Sequence, residues 1–168
     1  MNESALKTVF ESLHRDHYAM VLQLGLGFMK GDLQLAKDIA QEVFINVWKA
    51  LPKFRNESAH KTWIYRITVN TCLLHIRDNK KKRTDGLDED IYESVPDVGT
   101  SDKGEHKELY RAIGELAELD RLIIMLVLEE IGYDEIAKIT GINSINLRVK
   151  IHRIKKKMKE LLKTQAAN

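Results

Sequence analysis

Apolar residues recur along this chain every three to four positions, the repeat of an amphipathic helix, and the first eighty residues contain no stretch that reads as a strand. The segment from about Ser4 to Met29 places Leu6, Val9, Phe10 and Leu13 on one face and closes at a Gly31-Asp32 turn. Asp32 is positioned to cap a second helix, about Leu33 to Ala50, with Ala36, Ala40, Val43, Val47 and Leu51 at helical spacing and Pro52 just past its end. Asn56 to Ser58 reads as a loop, and Ser58 is the expected cap of a third helix reaching about Lys82. That helix carries two apolar stripes, Ile64, Ile67 and Leu74 on one and Tyr65, Val69, Cys72 and Ile76 on the other. Most of its girth should be buried, leaving a polar strip at Arg66, Asn70, Arg77, Lys80 and Lys81.

From Thr84 to Gly104 the period vanishes, and the stretch is acidic with Gly86, Pro96, Gly99, Thr100 and Ser101, the composition of a flexible linker. Helical spacing then returns near His106 to Ala117, Leu119 to Glu130, Asp134 to Thr140 and Ser144 to Lys163. The expected fold is all-α: two small helical domains at 1–83 and 105–168, joined by an acidic linker at 84–104.

A hydrophobic fraction of 43% with only two prolines supports a folded, helix-rich chain. The net charge of +2 hides an uneven distribution. Acids dominate from Asp85 to Glu108 and bases from Arg148 to Lys163. Cys72 is the only cysteine, so no intrachain disulfide is possible, which fits a cytoplasmic protein. The apolar run Tyr18 to Met29 is too short to span a bilayer, and the N-terminus lacks the marks of a signal peptide, so no membrane insertion is expected.

The segment Asp134 to Lys157 has the layout of a helix-turn-helix. Small Ala137 stands where two helices approach, Gly141 at the sharp turn, and Asn143 or Ser144 at the cap of the second helix. Leu147, Ile151, Ile154 and Met158 form its buried stripe, while Ser144, Asn146, Arg148, Lys150, His152, Arg153 and Lys157 offer donors to phosphates and base edges. A merely solvated basic face would explain Lys155 to Lys157 but not the turn glycine and small residue ahead of it.

Two further faces carry chemistry. Trp63 and Tyr65 beside Arg66 suit stacking on unpaired bases, although aromatics at this spacing more often pack in a core. Asp38, Gln41 and Glu42 share a face of the second helix, where Asp38 and Glu42 form a like-charge i, i+4 pair that a basic partner would relieve. An ordinary solvated face is the plainer alternative. The six histidines, His14 and His17 included, form no metal-binding set. No phosphate loop or positioned nucleophile is present, so neither cofactor nor enzyme activity is expected.

These residues resemble the extracytoplasmic-function (ECF) sigma factors of bacterial RNA polymerase. Gly31-Asp32 with Ala36 to Phe44 and Trp48 is similar to the family's core helix. Phe54-Arg55 with Lys61 to Ile67 and Asn70 is similar to its FRG…TWLYRI…N segment, and Tyr133 to Ala137, Gly141-Ile142 and Arg148 to Arg153 to its helix-turn-helix. The resemblance implies a region 2-like bundle and a region 4-like helix-turn-helix domain. It implies that Asp38, Gln41 and Glu42 dock on core polymerase, and that Phe54, Arg55, Asn56, Lys61, Trp63, Tyr65, Arg66, Asn70 and Arg77 serve the melted downstream promoter element. The upstream element would be read as duplex by the C-terminal helix, and an anti-sigma protein becomes an expected partner. Lys37, His60, Ala117 and Val149 depart from the pattern, and because Val149 and Asn146 lie in or near the DNA-reading surface the promoter sequence is not carried over.

The main rival is a helix-turn-helix regulator with an N-terminal sensor or dimerisation domain that never touches polymerase. A recombinase with such a tail would need an α/β catalytic domain that the first eighty residues do not offer.

Overall fold

The computed structural model describes residues 2–84 and 105–167. Seven helices occupy them: α1 (Glu3–Phe28), α2 (Leu33–Ala50), α3 (His60–Thr84), α4 (Glu105–Gly114), α5 (Glu118–Leu128), α6 (Tyr133–Thr140) and α7 (Ser144–Ala167). A single turn of 3-10 helix, Leu51–Lys53, follows α2. The linker expected at 84–104 lies outside the described residues except for Thr84, which ends α3.

Local chemistry sets the boundaries. The Asn2 side chain accepts the Ala5 N–H at 2.8 Å and starts α1. At its end Gly31 takes a left-handed φ of 83° and donates its N–H to the Leu26 carbonyl at 2.7 Å, closing the helix as the sequence predicts. Asp32 then caps α2 by accepting the Leu35 N–H at 3.1 Å. The expected cap Ser58 is displaced by one residue, because the Ala59 carbonyl accepts the first helical bond of α3, from Trp63.

Helices α1, α2 and α3 pack around Leu24, Phe28, Ala40, Val43, Val47, Ile64, Val69 and Cys72, each at most 1% exposed. Full burial of side chains of this size contributes roughly 1.5–3 kcal/mol apiece. Gly25 permits the close crossing of α1 and α2, since a Cβ there would lie 3.2 Å from the Ala36 carbonyl oxygen. Thr68 and Thr71 are buried on α3 because each donates its hydroxyl to the carbonyl four residues back. Leu74, expected on a buried stripe, is 45% exposed. Burial holds the Cys72 thiol up at about 12, with Glu42 adding to the effect, so it behaves as a small apolar side chain.

Helices α4 to α7 enclose a second group, including Ala112, Ile113, Leu122, Leu126, Ile136, Leu147 and Ile151. The two groups are continuous, and one apolar cluster runs through both halves of the chain. Helix α5 lies against α1, with the Met125 thioether over Gly27. Beside it Arg121, 6% exposed, donates to the Phe28 carbonyl at 2.8 Å and the Leu116 carbonyl at 2.7 Å. Among the described residues no helix is long and apolar enough to cross a membrane, and no group of three or more potential ligands could hold a metal ion.

Candidate nucleic-acid interface

The helix-turn-helix turns on Gly141, whose φ of 74° is readily reached without a side chain. Its N–H donates to the Ala137 carbonyl at 2.9 Å, and the Asn143 side chain then caps α7 by accepting the Ile145 N–H at 2.9 Å. Of the two candidate caps, Asn143 is the one used. Leu147, Ile151, Ile154 and Met158 face inward, which turns Ser144, Asn146, Arg148, His152, Arg153 and Lys157 to solvent. Ile145 and Val149 add exposed apolar surface, 73% and 46%, able to meet a thymine methyl. Lys150 is half-buried, with its Nζ 3.0 Å from Asp120 of α5. Arg148 and Lys155 both lie over the Tyr133 ring, at 5.7 and 5.8 Å, and Lys155 donates to the Tyr133 hydroxyl at 3.1 Å. That stack ties α7 to α6 while leaving both cations exposed.

On the other half, the Phe54 ring lies 4.5 Å from Trp63 and 5.0 Å from His60, forming a half-open aromatic corner before α3. Asn56, at φ 55°, turns the loop beside it. Arg55, Asn56, Lys61, Asn70 and Arg77 are exposed, and the Lys61 ammonium sits 5.9 Å above the Tyr65 ring. Tyr65 and Arg66 differ from the rest of the set. Tyr65 is 4% exposed and donates its hydroxyl to Glu129 Oε2 at 3.0 Å. Burial first, then the Glu129 carboxylate, raises its pKa far above the usual tyrosine range. Arg66 gives Nε and Nη2 to Glu135 Oε1 at 3.1 and 2.9 Å. The sequence placed these two residues toward a DNA strand; in this structure the C-terminal half holds both.

On α2, Asp38, Gln41 and Glu42 are exposed together. Next to Gln41 runs a groove of about 550 Å³ lined by Phe10, His14, Tyr18, Phe44, Ile45 and Trp48.

Residues 10–82 match the family model for Sigma-70 region 2, and residues 106–158 match that for Sigma-70, region 4. RNA polymerase sigma factor SigV of Bacillus subtilis is 30% identical over 145 residues, spanning 86% of this chain and 85% of SigV. The ECF RNA polymerase sigma-E factor of Escherichia coli is 32% identical over 129 residues, 69% of this chain and 68% of the relative. The chain belongs to the ECF sigma factors. Among solved structures, the sigma factor RpoE of Bartonella quintana, crystallised with the anti-sigma factor NepR, shares the fold with a TM-score of 0.77 over 92% of this chain and 96% of its own, at 18% identity.

As a sigma factor the chain is a transcription initiation factor, for which core RNA polymerase and promoter DNA are the partners that its two domains imply. Sequence reading missed three features of this member. The groove on α1 and α2 was signalled by Phe10, His14 and Tyr18 at four-residue steps, a row hidden by the core pattern that shares the helix. Buried Arg121 and the carboxylates Glu129 and Glu135 gave no local signal of their long-range contacts, because Phe28, Tyr65 and Arg66 lie 93, 64 and 69 residues away.

Proposed function

We propose that this sigma factor divides its work among three surfaces. Helix α2 docks on core polymerase through Asp38, Gln41 and Glu42. The loop before α3 and the exposed side of α3 capture the unpaired downstream strand, with Phe54, Arg55, Asn56, Lys61, Trp63, Arg66, Asn70 and Arg77 reached from solvent and buried Tyr65 only once its contact with Glu129 is released. Helix α7 reads the upstream element as duplex through Ser144, Asn146, Arg148, Lys150, His152, Arg153 and Lys157. Residues 1–83 and 105–168 are the functional units, and 84–104 connects them.

The observation that carries this reading is the outward set on α7, where donors and two apolar side chains face solvent behind a glycine turn while the opposite stripe is buried. A helix so built can enter a major groove. The Phe54–Trp63 corner supports strand capture, since a base extruded from a duplex costs a few kcal/mol that a preformed stacking surface can offset. The work is binding, and no bond is made or broken by the chain itself. An anti-sigma partner belongs to this reading, supported by the complex in which RpoE is seen. The protein would act in the cytoplasm, where an anti-sigma partner could hold it at the membrane.

The test separates strand capture from duplex reading. Polymerase carrying Phe54→Ala and Asn70→Ala should still bind closed promoter DNA, while permanganate reactivity of thymines in the downstream element falls. A premelted template should recover part of the activity. Normal opening by this variant, or no benefit from the bubble, would assign the N-terminal half to tethering alone.

A further inference from the structure

Successive residues of a helix turn by about 100°, so the buried stripe of Leu147, Ile151, Ile154 and Met158 fixes which side chains of α7 stand directly opposite the core. Those are Ile145 and Val149 in the first two turns, followed by His152 and Lys156. Asn146 and Arg153 flank this line on one side and Arg148 on the other, with the Arg148 guanidinium 5.7 Å over the Tyr133 ring. The most outward part of the first turns of a basic helix is therefore apolar. Ile145 is 73% exposed, more than any other large hydrophobic side chain among the described residues, and Val149 is 46% exposed. A lone exposed apolar side chain calls for no explanation. Two β-branched ones a turn apart are different, because each forms helix less readily than the lysines and arginines around it and neither belongs to the apolar cluster of the core.

We propose that Ile145 and Val149 read the 5-methyl groups of two thymines in the upstream element, so that this factor selects its promoters by apolar contact as well as by hydrogen bonds. The inference rests on the reading of α7 as the duplex-binding helix. Thymine's methyl is the apolar group that a base pair offers in the major groove, and the first turns of a recognition helix are the part that reaches base edges. Cations on both sides of the apolar pair favour a polyanion over an apolar protein surface as its occupant. They would hold the two backbones while the side chains between them face the bases. Four residues advance a helix by about 6 Å, close to two base steps of about 3.4 Å, so the two methyls lie about two steps apart.

Selection of duplexes bound by the holoenzyme, from a library randomised in the upstream region, should return an element with thymines at two such positions, on either strand. Each thymine is then replaced by deoxyuridine, which removes the methyl and leaves base pairing and every hydrogen-bonding group in place. Loss of one methyl contact should weaken wild-type binding about fourfold, and loss of both about fifteenfold. I145A/V149A should bind the thymine and uracil duplexes equally, and I145A alone should lose discrimination at only one of the two positions. Both side chains are exposed and alanine is the better helix former, so the variants keep their fold, which helical circular dichroism checks. An element without thymine overturns the proposal, as does a wild-type protein indifferent to uracil. Discrimination that survives in I145A/V149A also overturns it and leaves the apolar pair to a protein partner. When uracil has no effect, Arg153→Ala tells which level has failed: weakened binding removes the apolar reading alone, and unchanged binding removes α7 from the upstream element as well.

Discussion

Gly27 of α1 and Met125 of α5 are packed so closely that a Cβ on Gly27 would lie 2.8 Å from the methionine's terminal methyl and nearer still to its sulfur. Two effects of Gly27→Ala therefore oppose one another. Alanine in a helix interior gains about 0.5–1 kcal/mol over glycine, while forcing a methyl into a filled core costs about 1–3 kcal/mol. Overpacking should win, because Met125 is only 2% exposed and its Cγ, sulfur and terminal methyl would all have to move together inside the core. Urea unfolding should show a lower midpoint for Gly27→Ala, and Met125→Ala in that background should cost less than it does alone. Additive losses would mean that the two residues do not share a packing site.

Arg121 joins the same two helices by hydrogen bonds. Arg121→Met keeps the apolar stem but leaves the Phe28 and Leu116 carbonyls without this donor, at about 1–3 kcal/mol for each buried acceptor left unsatisfied. Thermal unfolding should reveal the loss, and a variant as stable as wild type would show that other donors serve these carbonyls.

How far the sequence could be read follows from how far apart the interacting residues stand. Helix α2 and the Gly141 turn were legible because an aspartate cap, a heptad-like apolar spacing and a glycine past a helix end all act within a few residues. The outward face of α7 was legible for the same reason, since burial of Leu147, Ile151, Ile154 and Met158 fixes what must point away. Tyr65 was read as a base-stacking aromatic or a core residue, and its hydrophobicity suits both. What decides between them is Glu129, a partner 64 residues on, which no local pattern announces. Lys150 likewise belonged to the basic face by spacing, and only the approach of α5 shows it paired with Asp120.

His17 on α1 should make stability depend on pH. Its pKa lies below the usual 6.5, chiefly through burial, with His60 and Lys61 adding to the depression and Asp16 opposing it. The unfolded chain then takes up a proton at about 6.5 that the folded chain accepts only at lower pH, so stability declines as pH falls through that window and is insensitive to this group above it. Urea midpoints measured at about pH 7.5 and 5.5 should differ less for His17→Gln than for wild type. The same difference in both would contradict the assignment.

On α7 the cations should separate by their surroundings. Arg153 is exposed. If it serves a phosphate, Arg153→Ala should weaken promoter binding about equally across sequences and reduce the salt slope by about one. Lys150→Ala should change the slope less, since Asp120 already balances that charge. Titrations of the holoenzyme on duplex promoter DNA at several salt concentrations provide the check, and equal slopes for the two variants would show that Asp120 does not offset the charge that Lys150 brings to the DNA.

Run-off transcription with purified core polymerase tests the division of labour most directly. Core alone should leave a duplex promoter of this factor silent, core with the wild-type chain should produce a discrete transcript, and Asp38→Lys with Glu42→Lys should abolish it without loss of helical signal. A transcript of undiminished strength from the charge-reversed chain would contradict the docking role of α2, and with it the account of how the other two surfaces are brought to a promoter.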